Sequence, residues 1–155
     1  MVAAYFLDTS ALLKRYVPEI GTQWMQSIAD PQNEHLLIIA QITWVEFHSA
    51  IARRQREQSI SADQAQQILA AFNFHWNEQY FTIPIDRPVM QLAAQLVQQH
   101  PLRAYDAVQL AAALSIQNQL VAPDISSFTF LTADDRLCNV SQLAGLLTDN
   151  ANRHP

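Results

Sequence analysis

The sequence predicts an α/β fold with a mainly parallel central sheet, because short apolar runs alternate with helical patterns along the chain. The run at residues 36–40 is apolar at every position, as expected of a strand that is covered on both faces of a parallel sheet. The chain has 155 residues, of which 50% are hydrophobic, and no linker, repeat or low-complexity tract divides it. We therefore expect a single domain over residues 1–155, large enough to bury a real core.

The first half of the chain is expected to fold as strand, helix, helix, strand, helix and helix. Residues 4–7 are apolar and predict the first strand, and Thr9 or Ser10 is placed to cap the helix expected over residues 11–16. The other expected elements of this half, in order, are a helix over about 21–29 that stops near Pro31, a strand at 36–40, a helix from Thr43 to about Gln58, and a helix to about Asn77 that Ser61 caps.

The second half continues the same alternation of strands and helices. Its expected elements, in order, are a β-rich run at 80–85, a helix that Pro88 opens and that ends before Pro101, a helix over 103–119, a strand at 128–131, a short helix over 134–144, and an edge strand at 146–148. Gly145 is expected to stop the short helix, because glycine readily takes the left-handed conformation that ends many helices.

The composition removes several common ways of handling phosphate. With only Gly21 and Gly145, the chain has no glycine-rich loop of the P-loop or dinucleotide-binding kind. A haloacid-dehalogenase-like phosphatase would need a second Asp two residues after Asp8, where this chain has Ser10. A phosphoacceptor response regulator would need a lysine near a late strand, and the only lysine is Lys14 in the first helix.

Charge, cysteine content and hydropathy restrict the partners and the compartment. The net charge of -5 disfavours non-specific coating of duplex nucleic acid, although a metal bound among acids would reverse the local field. The lone Cys138 excludes a disulfide framework and a cysteine-based zinc site, and it fits a reducing cytosol. No apolar run approaches the roughly 20 residues that span a bilayer, and no signal peptide precedes the first strand. We expect a cytoplasmic protein without a membrane partner.

Four acidic residues stand where chemistry is expected. Asp8 directly follows the first strand and Asp134 follows the strand at 128–131, and ligands of parallel sheets gather beyond the carboxyl ends of the strands. Glu46 and Asp106 lie within apolar stretches of predicted helices. A buried, isolated carboxylate costs several kcal/mol, so each of these acids requires a partner. The few cations of the chain cannot serve all four, whereas a bound divalent cation could.

Each acid also has a purely structural interpretation. Asp8 and Asp134 could be helix caps, and Glu46 could be a solvated acid that the helix dipole favours. Asp106 could pair with Arg103, three residues before it on the same helix. These interpretations are common one by one, but a chance convergence of all four acids is not.

Each of the four acids belongs to a longer motif. The motifs are residues 6–16 (FLDTSALLKRY) with Glu19 and Gly21 behind them, 42–47 (ITWVEF) with Ala50 and Arg53, 102–111 (LRAYDAVQLA), and 130–137 (FLTADDRL). In their order and spacing they resemble the four motifs of PIN-domain ribonucleases of the VapC toxin type, and the resemblance covers nearly the whole chain. Residues 142–146 lack the Glu that often precedes the Gly-Leu step in that family, a departure that concerns only the last strand.

The resemblance implies a PIN-like three-layer α/β/α sandwich and a ribonuclease that hydrolyses RNA phosphodiester bonds with Mg²⁺ or Mn²⁺. Asp8 and Asp106 would be the main metal ligands, and Glu46 and Asp134 would complete the acidic pocket, partly through water. Such ions are hard, prefer oxygen ligands and retain waters. The resemblance further implies a toxin of a type II toxin–antitoxin pair, with an RNA substrate, a small cognate antitoxin and a homodimeric state.

Three questions stay open at the level of sequence. The spacing from Thr132 selects Asp134 as the fourth acid, and its neighbour Asp135 is expected to face solvent. The basic cluster at residues 53–56 is either a solvated helix end or a patch that guides RNA or faces a partner. A catalytically silent PIN-like binding or assembly module is the alternative to an enzyme, because ligand residues alone do not establish activity.

Overall fold

A parallel sheet forms the centre of the molecule in the computed structural model, which describes residues 2–120 and 124–155. The strands of this sheet are β1 (Val2–Leu7), β2 (Leu36–Ala40), β3 (Tyr80–Ile83), β4 (Ile125–Thr132) and β5 (Leu147–Asn150). They stand in the spatial order β3-β2-β1-β4-β5, and all neighbours pair in parallel. The carboxyl ends of the strands therefore share one edge of the sheet.

Helices cover both faces of the sheet. They are α1 (Thr9–Leu13), α2 (Thr22–Ile28), α3 (Thr43–Arg56), α4 (Ala62–Glu78), α5 (Arg87–Gln99), α6 (Ala104–Gln117) and α7 (Asp135–Leu143). Short 3₁₀ turns at Pro31–Asn33 and Ala151–Arg153 follow α2 and β5. None of the helices in the described residues is long and apolar enough to cross a membrane.

The sheet separates two apolar cores. On one face, Phe6 of β1 packs in a cluster with side chains of α5, α6 and α7. On the other face, Leu7 packs with α1 to α4, where the rings of Phe47 and Phe72 stack with their centres 3.9 Å apart. Successive side chains of a strand thus enter opposite cores. The predicted three-layer α/β/α sandwich with a parallel sheet is confirmed.

The order of the strands places β1 in the middle of the sheet. The chain forms β2 and β3 on one side of β1 and then crosses to the other side to form β4 and β5. In open α/β sheets, ligands bind beyond the carboxyl ends of the strands at the point where the order reverses. That point lies here between β1 and β4, which are paired up to Leu7 and Leu131.

The predicted elements are present, with small shifts at their ends. The helix expected to reach about Gln58 ends at Arg56, and the strand expected to begin at residue 128 begins at Ile125. Ser61 caps α4 as predicted, in a reciprocal capping box with Gln64. The predicted edge strand near the C-terminus is β5, which pairs only with β4 among the described strands.

Of the residues predicted to cap the first helix, Asp8 is confirmed and Thr9 or Ser10 is wrong. Thr9 and Ser10 lie inside α1, and the N-cap residue is Asp8, whose Oδ1 accepts a hydrogen bond from the backbone N–H of Ala11 at 2.8 Å. The chain turns into the helix directly after β1, so Asp8 is the residue with an extended backbone and a side-chain acceptor at the junction. The helix consequently begins two residues before the predicted start at residue 11.

Gly21 stands where the chain leaves no room for a side chain. Its φ is +89°, and a Cβ at this position would collide with the carbonyl oxygen of Ala151 in the last 3₁₀ turn. Gly145 also has a positive φ, +95°, but no described atom lies within 4 Å of the place where its Cβ would be. A side chain at Gly145 would therefore meet backbone strain alone, whereas a side chain at Gly21 would meet backbone strain and a steric clash.

We expect Gly145→Ala to lower the free energy of unfolding by about 1 to 3 kcal/mol, the strain of a left-handed residue other than glycine. Gly21→Ala should cost at least about 2 kcal/mol more, because the collision with Ala151 adds to the same strain. Urea denaturation followed by circular dichroism measures both values. Equal costs for the two substitutions would contradict the close packing of Gly21 against the last turn.

Candidate active site

One cleft at the carboxyl edge of the sheet is lined by all four of the predicted acids. It has a volume of about 520 Å³. Asp8 enters it from the end of β1, Glu46 from the first turn of α3, Asp106 from the first turn of α6, and Asp134 from the turn before α7. The fold thus brings Asp8 and Asp134, which are 126 positions apart in the sequence, to the same cleft.

Asp8 is the most enclosed of the four acids, with 4% of its surface exposed. Three donors hold its carboxylate: the backbone N–H of Ala11 at 2.8 Å, Ser10 Oγ at 2.7 Å and Thr132 Oγ1 at 2.6 Å. Ala11 and Ser10 belong to α1, whereas Thr132 ends β4. The position of this carboxylate is therefore fixed by two neighbouring strands and a helix at once.

Burial raises the pKa of Asp8 to about 6, because the ionised form is removed from water. The hydrogen bonds that Asp8 receives act in the opposite direction, and the negative charge of Asp106 adds to the rise. A cation in the cleft would compensate the cost of ionising this side chain.

Gln109 holds the second acid, Glu46, from the neighbouring helix α6. Its Nε2 donates to Glu46 Oε1 at 2.7 Å and lies 2.9 Å from Thr43 Oγ1, while Thr9 Oγ1 donates to the same Glu46 oxygen at 3.1 Å. Burial raises the pKa of Glu46, and the hydrogen bonds from Gln109 and Thr9 oppose that rise. These contacts join α6 to α1 and α3 at the floor of the cleft.

Arg103 lies across the other two acids. Its Nε is 3.1 Å from Asp106 Oδ2, and its Nη2 is 3.6 Å from Asp134 Oδ2. The structural interpretation of Asp106 as a partner of Arg103 is therefore realised, although the same carboxylate lines the cleft. The Arg103 side chain is 77% exposed, so water screens these contacts and the guanidinium can leave without loss of packing.

The neighbours Asp134 and Asp135 point to different surroundings. Asp134 lines the cleft, and its Oδ1 also accepts the backbone N–H of Leu137 at 2.9 Å as the N-cap of α7. Asp135 is exposed, accepts a hydrogen bond from Asn150 Nδ2 at 2.7 Å, and lies 3.5 Å from Arg153 Nη2. The expectation that Asp134 faces the cleft and Asp135 the surface agrees with this placement.

The basic cluster at residues 53–56 does not act as a unit. Arg53 lines the cleft on α3, one helical face with Glu46 and Ala50. Arg54 instead turns towards Glu19, with Nη2 3.7 Å from Glu19 Oε2. Only one arginine of the cluster therefore reaches the cleft wall.

The four carboxylates do not form a closed metal cage. Across residues 2–120 and 124–155, no three His, Cys, Asp or Glu side chains are grouped so that they could hold a metal ion. The donor set still fits Mg²⁺ or Mn²⁺, because both take oxygen ligands and Mg²⁺ keeps several waters while it binds one or two carboxylates. The Gln109 amide supports this fit, since its buried Oε1 has no hydrogen-bond partner in the described structure. The cleft suits a hydrated divalent ion.

The sequence alone does not single out Gln109, which proves central to the geometry. The signal that could have found it is a polar side chain within the apolar run at residues 107–113, one helical turn after Asp106. A buried amide in such a run needs hydrogen-bond partners, and the nearest elements that offer them are α1 and α3.

The parallel sheet and the acidic cleft at its carboxyl edge define an open-sheet α/β protein, a class in which ligands generally bind at that edge. Within that class, the family model of the PIN domain matches residues 5–143. The chain therefore belongs to the PIN-domain family. The matched range includes all four acids of the cleft.

Solved structures share this fold at low sequence identity. VapC20 of Mycobacterium tuberculosis, described as a sarcin-ricin loop cleaving toxin, is 13% identical, with a TM-score of 0.63 over 97% of this chain and 99% of its own. VapBC2 of Rickettsia felis, bound to a promoter DNA fragment, is 14% identical, with a TM-score of 0.62 over 95% and 98%. A Klebsiella pneumoniae toxin-antitoxin complex is 18% identical, with a TM-score of 0.59 over 95% and 97%. No curated protein sequence gives a significant match.

We expect Asp8→Asn to stabilise the metal-free protein above pH 6. The folded-state pKa of Asp8 is about 6, above its ordinary value of 3.8, so ionisation of the buried carboxyl costs folding free energy as the pH rises through this range. The gain should reach up to about 3 kcal/mol near pH 8 and fade below pH 4. Urea denaturation in EDTA at several pH values measures it.

The exposed Asp63 on α4 supplies the matched control for this experiment. Asp63→Asn should change the free energy of unfolding by a small amount that stays constant between pH 5 and pH 8. A stability gain in Asp8→Asn that is equally independent of pH would refute the raised pKa of the buried carboxyl.

Proposed function

We propose that this PIN-domain protein is a metal-dependent ribonuclease that hydrolyses RNA phosphodiester bonds. The observation that carries the proposal is the convergence of four acids from separate elements on one cleft: Asp8, Glu46, Asp106 and Asp134. This cleft lies at the switch point of the sheet, the place between β1 and β4 where the strand order reverses. Side chains of the same sign are costly to bring together without a cation between them. A site of this kind gains from a divalent ion, and the ion in turn attracts a phosphate group.

Asp8, Glu46, Asp106 and Asp134 would hold Mg²⁺ or Mn²⁺ directly or through water. The ion supplies Lewis-acid polarisation of the phosphoryl group and lowers the pKa of a water. Asp8 is pre-oriented by its three hydrogen bonds, and Gln109 and Thr9 fix the Glu46 carboxylate. Because these two carboxylates are already held in place, binding of the ion would cost little conformational entropy.

The two half-buried acids, Asp106 and Asp134, and the exposed Arg103 complete the proposed site. Asp106 and Asp134 sit at the open side of the cleft, where they can meet an incoming ion, and Arg103 shields them from each other beforehand. Asp106 and Asp134 would help to hold the ion, and the exposed guanidinium of Arg103 would contact the phosphate group of the substrate, a pairing that arginine makes well.

We also propose that the chain is the toxin of a type II toxin–antitoxin pair in the cytoplasm. One solved protein with this fold is described as a toxin-antitoxin complex and another as a member of a family of toxin-antitoxin systems, which supports a small cognate antitoxin as the partner. The lone, buried Cys138 fits a reducing compartment. A homodimer belongs to the same proposal, and sedimentation velocity of the purified chain tests it.

A catalytically silent PIN-like binding module is the competing function. It is favoured by the absence of a preformed three-ligand group in residues 2–120 and 124–155. Isothermal titration with Mn²⁺ separates the two proposals, because a silent module should show no binding that depends on Asp8 and Asp106.

We expect Asp106→Asn to abolish metal-dependent cleavage of RNA, and Asp8→Asn to do the same, because each change removes a proposed ligand while it preserves shape. Single-stranded RNA incubated with Mg²⁺ or Mn²⁺ and separated on a denaturing gel gives the readout. Asp63→Asn is the control and should cleave at the wild-type rate. Full activity of either site variant in a sample free of contaminating nuclease would rule out the proposed mechanism.

Arg103→Gln should strengthen Mn²⁺ binding by about five- to tenfold, because it removes a positive charge from the immediate surroundings of two proposed ligands. Titration calorimetry at low ionic strength measures this change. Arg56→Gln, at the exposed end of α3, is the matched control and should leave the dissociation constant unchanged. Weaker Mn²⁺ binding in Arg103→Gln would instead mean that the arginine positions Asp106 for the ion.

A further inference from the structure

Two exposed apolar side chains stand at the rim of the cleft, each directly before one of its acids. Tyr105 precedes Asp106 in the first turn of α6 and is 60% exposed. Val45 precedes Glu46 in the first turn of α3 and is 67% exposed. Both line the same cleft. We call this pair the lip of the cleft.

The geometry of the two helices brings the lip residues close to the acids. Tyr105 lies one helical turn before Gln109, whose amide reaches Thr43 and Glu46 at the start of α3. The second turn of α6 therefore contacts the first turn of α3, and each of the two helices contributes one residue of the lip from its first turn. A group that rests on the lip is next to the carboxylates that would bind the metal.

The lip side chains do not serve the core of the protein. Other large apolar side chains of the same helices, such as Phe47 and Leu110, are completely buried. Single exposed apolar residues are ordinary on protein surfaces, but two that flank the acids of one cleft mark a place for an apolar group of a ligand. Tyrosine provides such a place at low entropic cost, because its ring is large and has few rotatable bonds.

The remaining lining of the cleft identifies the kind of ligand. Arg53 and Arg103 line the cleft together with the lip and the four acids, which would hold the proposed divalent cation. The complementary ligand carries a flat apolar face beside an anionic group. A nucleotide of RNA has this combination, since its base and its phosphate are joined through one ribose.

We propose that the lip binds an unpaired nucleobase of the RNA next to the phosphate that is cleaved, with the base stacked on the ring of Tyr105 and in contact with Val45. This inference rests on the proposed ribonuclease function and assigns a base-stacking residue to the proposed site. Base faces are accessible in single-stranded or looped RNA and are covered in a duplex. Because stacking uses the flat face that every base has, the lip would accept any base without hydrogen bonds that distinguish one base from another.

A protein segment with an apolar side chain and a nearby cation is the competing occupant of the lip. With the proposed divalent ion bound, the ion and the two arginines would balance the charge of the four acids. The cleft would then no longer attract the cation of a protein segment, whereas the arginines could still contact a phosphate, so the nucleotide is favoured. Removal of the Tyr105 ring distinguishes the two occupants, because only a bound base would make RNA affinity depend on the ring.

The experiment uses fluorescence anisotropy of a labelled single-stranded RNA of mixed sequence, in Ca²⁺ in place of Mg²⁺ to slow cleavage. The same RNA annealed to its complement is the duplex probe. The variants are Tyr105→Ala, which removes the ring, and Tyr105→Phe, which keeps the stacking face. Phe74→Ala is the matched control, because Phe74 is an aromatic residue of α4 that is 63% exposed and lies outside the cleft lining.

We expect Tyr105→Ala to weaken binding of the single strand by about 5- to 100-fold, the range that loss of one aromatic stacking partner produces. Tyr105→Phe and Phe74→Ala should bind as the wild type does, and duplex affinity should be low in all four proteins. The Mn²⁺ dissociation constant of Tyr105→Ala should equal that of the wild type, which shows that the ring does not act by positioning Asp106.

Three outcomes would overturn the inference. Wild-type RNA affinity in Tyr105→Ala, while the wild type cleaves RNA, removes the lip as a base site and leaves the ribonuclease function standing; the lip then serves a protein partner. An equal loss in Tyr105→Phe removes stacking as the cause. A wild-type protein that neither binds nor cleaves RNA in any of the metals refutes the proposed function and the lip together.

Discussion

The buried carboxylate of Asp8 is the constraint on which the cleft depends. Asp8 directly follows the central strand β1, caps α1, and receives a hydrogen bond from Thr132 at the end of β4. Because β1 and β4 flank the switch point of the sheet, this one side chain fixes how the two strands and the first helix meet. The same contacts that order the backbone also aim the carboxylate into the cleft, so folding and site geometry are inseparable at this position.

This arrangement costs stability when the cleft is empty of cations. Burial raises the pKa of both Asp8 and Glu46, and the hydrogen bonds they receive oppose that rise. Local conflicts of this kind are expected at functional sites, because a fold selected for stability alone would place apolar groups there. Arg103 relieves part of the repulsion between Asp106 and Asp134 from the solvent side, where its contacts are weak and easily broken.

The sequence predicts the layers of this fold well because apolar periodicity reports burial, which is what the strands and helices share. It also predicts the acids at strand ends, since every parallel strand ends at the same edge. The sequence leaves the cap of α1 open between Asp8 and Thr9 or Ser10, because propensity does not reveal that the helix begins directly after β1. Local sequence patterns do not predict the roles of Gln109 and Tyr105 for a different reason. These roles depend on the contact between α3 and α6, which are about 60 residues apart in the sequence.

The hydrogen bonds of Gln109 cross from one helical layer to the other around the edge of the sheet. Gln109 belongs to the layer of α5, α6 and α7, whereas Thr9, Thr43 and Glu46 belong to the layer of α1 to α4. The cleft therefore lies where the two helical layers, which otherwise pack on opposite faces of the sheet, contact each other. A ligand that contacts both layers in the cleft would stabilise them together, so its binding should raise the melting temperature of the whole protein.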